Sequence, residues 1–250
     1  MNVSRLPVCV ACLDTMRPIE GGLCSICGER LISPHAFSEE HGEVRCGLCR
    51  RLEQPFTKAA AYGSYEGGLR DLIHLLKYQH VRPAANVLGR MLAEVMGNLS
   101  PGFATAKIAV VPVPLFPAKL KQRGFNQAEL TARIALKLLA ERDRYVVMAD
   151  VLSRIRETQS QTGLTRHQRR ENLRGAFRVK YPVKISGAEV LLVDDVFTTG
   201  TTVSECARIL RRAGAARLWV ATVARTLKAD VQHAKVEPET ESDRTMAAHG

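Results

Sequence analysis

One stretch of 13 residues, Val190–Thr202, restricts the fold and function of this chain more than any other. It reads Val-Leu-Leu-Val-Asp-Asp-Val-Phe-Thr-Thr-Gly-Thr-Thr. The first four residues indicate a short buried strand, and the apolar spacing from Val203 to Leu210 indicates a helix. A strand, a small-residue loop and a helix N-terminus direct backbone N–H groups and the positive end of the helix dipole at one point. The stretch therefore predicts an anion site.

Polar residues of the same stretch extend the predicted site from an anion to a sugar phosphate. Asp194 and Asp195 follow the predicted strand, where sugar hydroxyls or a metal ion would lie beside the phosphate. The threonines add hydroxyl donors, so a sugar with a 5′-phosphate satisfies the whole pattern. The alternative is an ordinary strand end with an acidic residue at the top of an α/β sheet.

The stretch resembles the PRPP-binding signature of type I phosphoribosyltransferases, in which an apolar strand, an acidic pair and Thr-Thr-Gly-Thr-Thr follow one another. The resemblance implies an α/β fold with a mostly parallel sheet flanked by helices. It also implies that Asp194 and Asp195 accept hydrogen bonds from ribose hydroxyls and that Mg²⁺ bridges these hydroxyls and the pyrophosphate of PRPP. The residues that it assigns to the 5′-phosphate are Thr198, Thr199, Gly200, Thr201 and Thr202.

Six of the seven cysteines form three Cys-x-x-Cys pairs within the first 49 residues. In a reducing compartment this pattern favours metal binding over disulfides. Two such pairs separated by about 15–20 residues are typical of a tetrahedral zinc site. The second and third pairs have 18 residues between them, so we predict a structural zinc ion bound by Cys24, Cys27, Cys46 and Cys49. The first pair, Cys9/Cys12, could instead combine with the second, and redox chemistry is a further alternative.

Two more segments resemble the ComF family, the phosphoribosyltransferase-like proteins of bacterial competence. They read Val-Pro-Val-Pro-Leu at 111–115 and Arg-Gly-Phe-Asn-Gln at 123–127, and a Gln…Arg…Asn stretch follows at 159–172. The resemblance extends from about Cys9 to Arg225. It implies that Arg123, or an arginine of a lid segment, neutralises pyrophosphate, and that single-stranded DNA and a competence helicase are partners. Longer members carry four cysteine pairs, which makes the first pair here half of an incomplete second site.

Composition and periodicity divide the chain into three parts. We predict a cysteine-rich zinc-binding module over 1–55, a phosphoribosyltransferase-like domain over 56–228 and a disordered tail over 229–250. Within the domain, strands are expected at 59–65, 107–111, 145–153, 190–193 and 217–223. Helices are expected at 66–79, at 83–95, from an Asn126 cap to 139, and after the central stretch.

The formal net charge of +11 indicates an anionic partner. Eight basic residues face only two acidic ones between 151 and 180. This segment is interpreted as a solvated basic surface, as a lid over the site or as a DNA-phosphate surface. It contains few aromatic residues, which argues against stacking on single-stranded DNA. No apolar run approaches the ~18 residues of a membrane helix and no signal peptide is recognisable, so we expect a cytoplasmic protein without a membrane span.

Two classes of function remain after this reading. The first is an enzyme that transfers a phosphoribosyl group from PRPP, with Asp194, Asp195 and Arg123 as its catalytic residues. The second is a non-catalytic factor for binding or importing single-stranded DNA that retains the fold without PRPP turnover. A third class, a zinc module attached to an inactivated domain, predicts loss of the acidic pair, which is present.

Overall fold

The structure is a computed structural model in which residues 8–31, 44–158 and 165–227 are described. The predicted tail, 229–250, and residues 159–164 of the basic segment lie outside these ranges. In chain order, the strands are β1 (Lys58–Ser64), β2 (Ile108–Pro112), β3 (Tyr145–Val147), β4 (Leu152–Arg154), β5 (Phe177–Val179), β6 (Glu189–Phe197) and β7 (Arg217–Arg225). The helices are α1 (Val10–Thr15), α2 (Gly47–Arg51), α3 (Gly67–Tyr78), α4 (Ala84–Leu99), α5 (Pro117–Arg123), α6 (Gln127–Leu138), α7 (Arg166–Leu173) and α8 (Thr201–Arg212).

Five strands form one parallel sheet in the order β1-β7-β6-β2-β3, and β4 pairs antiparallel with β5 in a second sheet. The central strand β6 begins with a continuous apolar run because both faces of a parallel sheet are covered. Leu191 and Val193 pack toward α3, α4 and α6. Val190 and Leu192 pack toward α8 and the side that holds the cysteines. The predicted α/β fold, with a parallel sheet flanked by helices, is confirmed.

The strand order creates a crevice between β2 and β6. The chain passes from β2 outward to β3 and later returns on the other side of β2 as β6, next to β7. The connections after β2 and β6 therefore leave the sheet in different directions, and a crevice opens at their carboxyl ends. Ligands of open α/β sheets bind at such switch points. The segment after β2 and the Thr/Gly loop after β6, Thr198–Thr202, border this crevice.

The structure differs from the predicted elements in three places. The single strand predicted at 145–153 is two strands of different sheets, because Ala149 and Asp150 interrupt the apolar run. Strand β6 continues to Phe197, so the acidic pair lies inside it and pairs alongside β7. Helix α5, which is absent from the predicted elements, lies between β2 and Gly124 and starts with Pro117 in its first turn.

No helix in the described ranges is both long and apolar enough to cross a membrane.

Candidate functional site

The two adjacent carboxylates lie on opposite faces of the sheet edge, because successive side chains of a strand alternate. Asp195 faces α3, where its Oδ2 pairs with the ammonium group of Lys77. Asp194 interacts electrostatically with Arg154 of β4 and with the thiol of Cys206 in α8. The backbone N–H of Asp195 also donates to Oδ1 of Asp194 at 2.9 Å. Each layer that covers the sheet therefore contacts a different carboxylate.

The environments of the two carboxylates shift their pKa values in opposite directions. Burial raises the pKa of Asp194 well above its ordinary value, and the negative charge of Asp195 raises it further. Burial also opposes ionisation of Asp195, but the Lys77 ammonium and the hydrogen bond with Asp194 together outweigh it and lower the pKa of Asp195. Burial would lower the pKa of Lys77, but the negative charge of Asp195 and the hydrogen bond to it raise that pKa. The pair thus favours one ionised and one protonated carboxyl group, and it can both accept and donate hydrogen bonds.

Basic side chains from three further elements approach the same place. The pKa of Lys119 is lowered by burial and then by repulsion from Arg123, Arg154 and Lys77. The pKa of Arg154 is also lowered by burial, and its guanidinium lies 5.6 Å from the centroid of the Phe177 ring. Four cations from α3, α5 and β4 therefore face two carboxylates, of which one favours its neutral form. The excess positive charge favours an anionic ligand.

Arg123 was predicted from sequence, and the structure places it at the end of α5 with 7% of its surface exposed. One of its nitrogens, Nη1, donates to Oε1 of Gln127, and its guanidinium lies 5.8 Å from the centroid of the Tyr78 ring. Burial lowers the pKa of Arg123, whereas Asp195 raises it, which puts the guanidinium within electrostatic range of the acidic pair. Its backbone carbonyl also hydrogen-bonds Nδ1 of His80 at 3.1 Å.

The segment after β2 is tied to the sheet and to α6. The Val113 N–H donates to the Val193 carbonyl at 2.8 Å, and Nδ2 of Asn126 donates to the Val113 carbonyl at 3.0 Å. The Asn126 side-chain oxygen accepts the Ala128 N–H, which confirms the predicted helix cap. These contacts fix the segment beside the crevice.

The Thr/Gly loop turns sharply into α8. Gly200 has φ +71°, in the left-handed region, and a Cβ there would lie 2.5 Å from Cζ of the Phe197 ring. Only glycine meets both demands, the conformation and the contact. The hydroxyls of Thr199 and Thr201 share a hydrogen bond of 2.7 Å, and α8 begins at Thr201. The first N–H groups of a helix have no partner within it, so the N-terminus of α8 adds donors beside the loop.

The second and third cysteine pairs come together as one buried cluster. The four Sγ atoms of Cys24, Cys27, Cys46 and Cys49 all lie within 4.8 Å of one another. The Sγ atoms of Cys27 and Cys46 are 3.7 Å apart. This distance fits a tetrahedral thiolate site, in which metal–sulfur bonds of about 2.3 Å place the sulfurs about 3.8 Å apart. The cluster can hold a metal ion.

Electrostatics within the cluster point the same way. Hydrogen bonds from Cys27 and Cys49 lower the pKa of Cys24, whereas that interaction raises the pKa of both donors. Ionisation of Cys24 therefore opposes ionisation of Cys27 and Cys49, and a bound cation would relieve this opposition. The pair Cys9/Cys12 is exposed and lies on α1, so the structure does not group it with Cys24 and Cys27 as the competing ligand set required.

Sequence reasoning missed Lys77 and Arg154, and both left a signal. Lys77 follows Ile73 by four residues, which puts a cation on the apolar stripe of α3. Arg154 follows the buried Leu152 by two residues in β4, which puts both side chains on the inward face of that strand. A charged residue at a core position indicates a buried partner.

The chain was compared with known proteins. The family described as "Phosphoribosyl transferase domain" matches residues 121–245. DNA utilization protein YhgH of Escherichia coli (strain K12) is 32% identical over 214 residues, which cover 82% of this chain and 91% of that protein. Competence protein F of Haemophilus influenzae is 29% identical and covers 87% of this chain and 96% of its own length. Competence protein ComFC of Bacillus subtilis (strain 168) is 25% identical over 213 residues, which cover 84% of this chain and 80% of that protein.

Both the parallel sheet with its crevice and the matched family define the chain as a phosphoribosyltransferase-fold protein. More particularly, it belongs to the ComF family, with relatives that align over most of their length.

Proposed function

We propose that the crevice between β2 and β6 binds PRPP or a related ribose 5-phosphate together with Mg²⁺, and that this binding serves DNA uptake or use. The convergence of four cations, one of them the buried Arg123, on a split acidic pair just before the Thr/Gly loop carries the proposal. Such a charge distribution suits a ligand that carries phosphate at one end, hydroxyls in the middle and pyrophosphate at the other.

Each group of the site would have its own role. The loop residues Thr198, Thr199, Gly200, Thr201 and Thr202 would hold the 5′-phosphate through N–H and hydroxyl groups. Asp195, ionised, would accept from one ribose hydroxyl, and Asp194 would bind the other. Arg123 and Lys119 would neutralise the pyrophosphate, and Mg²⁺ held near Asp194 and Asp195 would supply further positive charge for the ligand.

The cysteine cluster is proposed to hold a structural zinc ion. Its four buried thiols form a closed, all-sulfur set, which zinc prefers and which leaves no position for a substrate. The segment that carries the cluster precedes β1 and is short, so metal binding would contribute much of its folding free energy.

Calorimetric titration of PRPP with Mg²⁺ into the metal-loaded protein tests the main proposal. We expect micromolar binding, and we expect its loss when Asp194 and Asp195 are both replaced by Asn. Asp150→Asn is a matched control, because this exposed carboxylate pairs with Lys184 at 2.8 Å outside the crevice. Binding by the double variant equal to that of the wild type would contradict the proposal, and pyrophosphate release in the same sample would report turnover.

A second candidate is a DNA-binding factor that uses the fold without PRPP turnover. The net charge of +11 and the names of the relatives, DNA utilization protein and competence protein, favour it. Affinity for a single-stranded oligonucleotide that falls steeply with salt, in protein that does not bind PRPP, would support this candidate over the first.

A further inference from the structure

We infer that Arg225 is a positioning residue that makes the conformation of the Thr/Gly loop depend on metal occupancy of the cysteine cluster. The inference rests on the proposed function in assigning zinc to the cluster and a 5′-phosphate to the loop. It adds regulation of the proposed site by a metal that does not touch its ligand.

Arg225, the last residue of β7, is held by the cysteine knuckle of Cys24 and Cys27. Its Nη1 donates to the backbone carbonyl of Cys27, and its Nη2 pairs with Oε2 of Glu29 at 2.8 Å. Both Arg225 and Glu29 are buried. The planar guanidinium has fixed donor directions, so two partners on one knuckle determine its orientation.

The same guanidinium supports the Thr/Gly loop through Phe197. The register of β6 and β7 puts Arg225 opposite Phe197, and the guanidinium carbon lies 4.7 Å from the centroid of the phenyl ring. The ring in turn lies against Gly200, where even a Cβ would be too close. The backbone N–H of Thr226 donates to the Phe197 carbonyl at 3.0 Å and holds the same strand end. A chain of contacts thus leads from a metal ligand, through one arginine and one ring, to the turn of the loop.

Part of the space between the module and the loop is a cavity of about 420 Å³, lined by Cys27 and Cys46 and by Thr198 and Thr199. Phe197 has two neighbours on this side: the Arg225 guanidinium, and the Phe56 ring, which lies edge-on with its centroid 6.3 Å away. Of these two, Arg225 is hydrogen-bonded directly to the backbone of a cysteine in the cluster. A change in the knuckle therefore reaches Phe197 through Arg225.

Loss of the metal would break this chain of contacts at its first link. Without the ion, the knuckle loses the bonds that hold the Cys27 carbonyl and Glu29 in place. A buried guanidinium without partners is unfavourable, so Arg225 would turn toward water and uncover the Phe197 ring. The tight contact at Gly200 then loses its support, and the loop samples conformations that do not bind phosphate.

Amide hydrogen exchange of the full chain, followed on peptides that cover 198–203, tests the inference without any ligand. In the wild type, removal of zinc by a chelator should raise exchange of the loop by about tenfold or more. In zinc-loaded Arg225→Met, exchange should already be raised, and removal of zinc should change it little further. The control is Arg217→Met, which removes a half-exposed arginine from the other end of β7 and should respond to zinc as the wild type does.

A purely structural role for Arg225 would give additive effects of zinc removal and substitution, and additivity would overturn the inference. Zinc content of each variant, measured with a chromogenic chelator, verifies that Arg225→Met still binds the ion. If Arg225→Met does not fold, Glu29→Gln weakens the same link from the module side and should raise loop exchange in the zinc-loaded protein. Unchanged exchange in Glu29→Gln would also overturn the inference.

Binding of ribose 5-phosphate separates this inference from the proposed function. If loop exchange depends on zinc and Arg225 but ribose 5-phosphate does not bind, the proposed function fails and the coupling stands. If ribose 5-phosphate binds equally with and without zinc, the coupling fails and the proposed function stands.

Discussion

The cysteine cluster and the crevice at the ends of β2 and β6 are opposite electrostatic designs. The cluster brings together four groups that become anionic, and the crevice brings together four cations around two carboxylates. The cluster is closed, fully buried and built from two short chain segments. The crevice is assembled from α3, α5, β4 and β6. The difference predicts that a metal bound by the cluster would be part of the folded structure, whereas an anion bound in the crevice could be exchanged.

The largest effect that tests this comparison is loss of the metal. Replacing Cys49 with Ser in the cluster should unfold the module, because metal binding at such sites contributes on the order of 10 kcal/mol. The matched change, Cys12→Ser in the exposed first pair, should leave zinc content and thermal unfolding unchanged. Equal loss of zinc from both variants would show that the cluster is not the closed site described above.

A smaller loss is expected when the buried ion pair of the crevice is broken. Lys77→Met leaves the carboxylate of Asp195 buried without its cation. This change should lower the free energy of unfolding, measured in urea, by about 3–5 kcal/mol. Adding Asp195→Asn should recover part of that loss. By contrast, Lys184→Met removes an exposed pair with Asp150 and should cost at most about 1 kcal/mol. Similar losses for the two lysines would argue against a distinct charge environment in the crevice.

The third-largest effect is expected from a substitution in the turn of the Thr/Gly loop. Gly200→Ala imposes a left-handed conformation on a residue with a Cβ and drives that atom into the Phe197 ring. We expect the free energy of unfolding to fall by about 1–3 kcal/mol and ribose 5-phosphate to bind more weakly, because the loop must shift. Gly97→Ala in α4, where a Cβ has open space, is the control and should not reduce stability. Retention of full affinity by Gly200→Ala would mean that the loop geometry is not needed for binding.

The smallest expected effect is a difference between the two carboxylates in how their replacement changes stability with pH. The pKa of Asp195 is lowered in the folded state. The stability that the ionised Asp195 contributes is therefore fully present above the ordinary carboxyl pKa and is lost as pH falls toward the lowered pKa. The pKa of Asp194 is raised, so the folded protein loses stability as pH rises from the unfolded to the folded pKa. As pH rises above the ordinary carboxyl range, the stability of Asp194→Asn relative to the wild type should therefore increase, while the stability difference for Asp195→Asn should stay constant. Parallel pH profiles would refute the opposite shifts.

Features that are contiguous in the chain could be predicted from the sequence. The apolar strand, the acidic pair and the loop occupy 13 consecutive residues, and the spacing of the cysteine pairs defines a ligand set. The parallel fold follows from the alternation of strands and helices. The assignment of ligands to these residues stays a prediction, as do the domain boundaries.

Features that depend on how distant elements meet could not be predicted. Helix α7 has little apolar periodicity, and its buried anchor is Leu173, packed with Phe177 in the core behind α8. Lys77 and Arg154 reach the acidic pair only because α3 and β4 cover opposite faces of the sheet. Arg225 lies two residues beyond the strand predicted at 217–223, and its partners in the cysteine module, Cys27 and Glu29, precede it by 198 and 196 residues.

The position of β1 has a consequence for the order of synthesis. Strand β1 lies at the edge of the sheet and pairs with β7, which follows it by roughly 160 residues. At ribosomal rates of about 5–20 residues per second, roughly 8 to 30 seconds pass between the two strands. The cysteine module, made first, can capture its metal during that interval, while the edge strand waits without its neighbour. A metal ion captured in that interval would be bound before Arg225, whose orientation we infer to depend on it, has been translated.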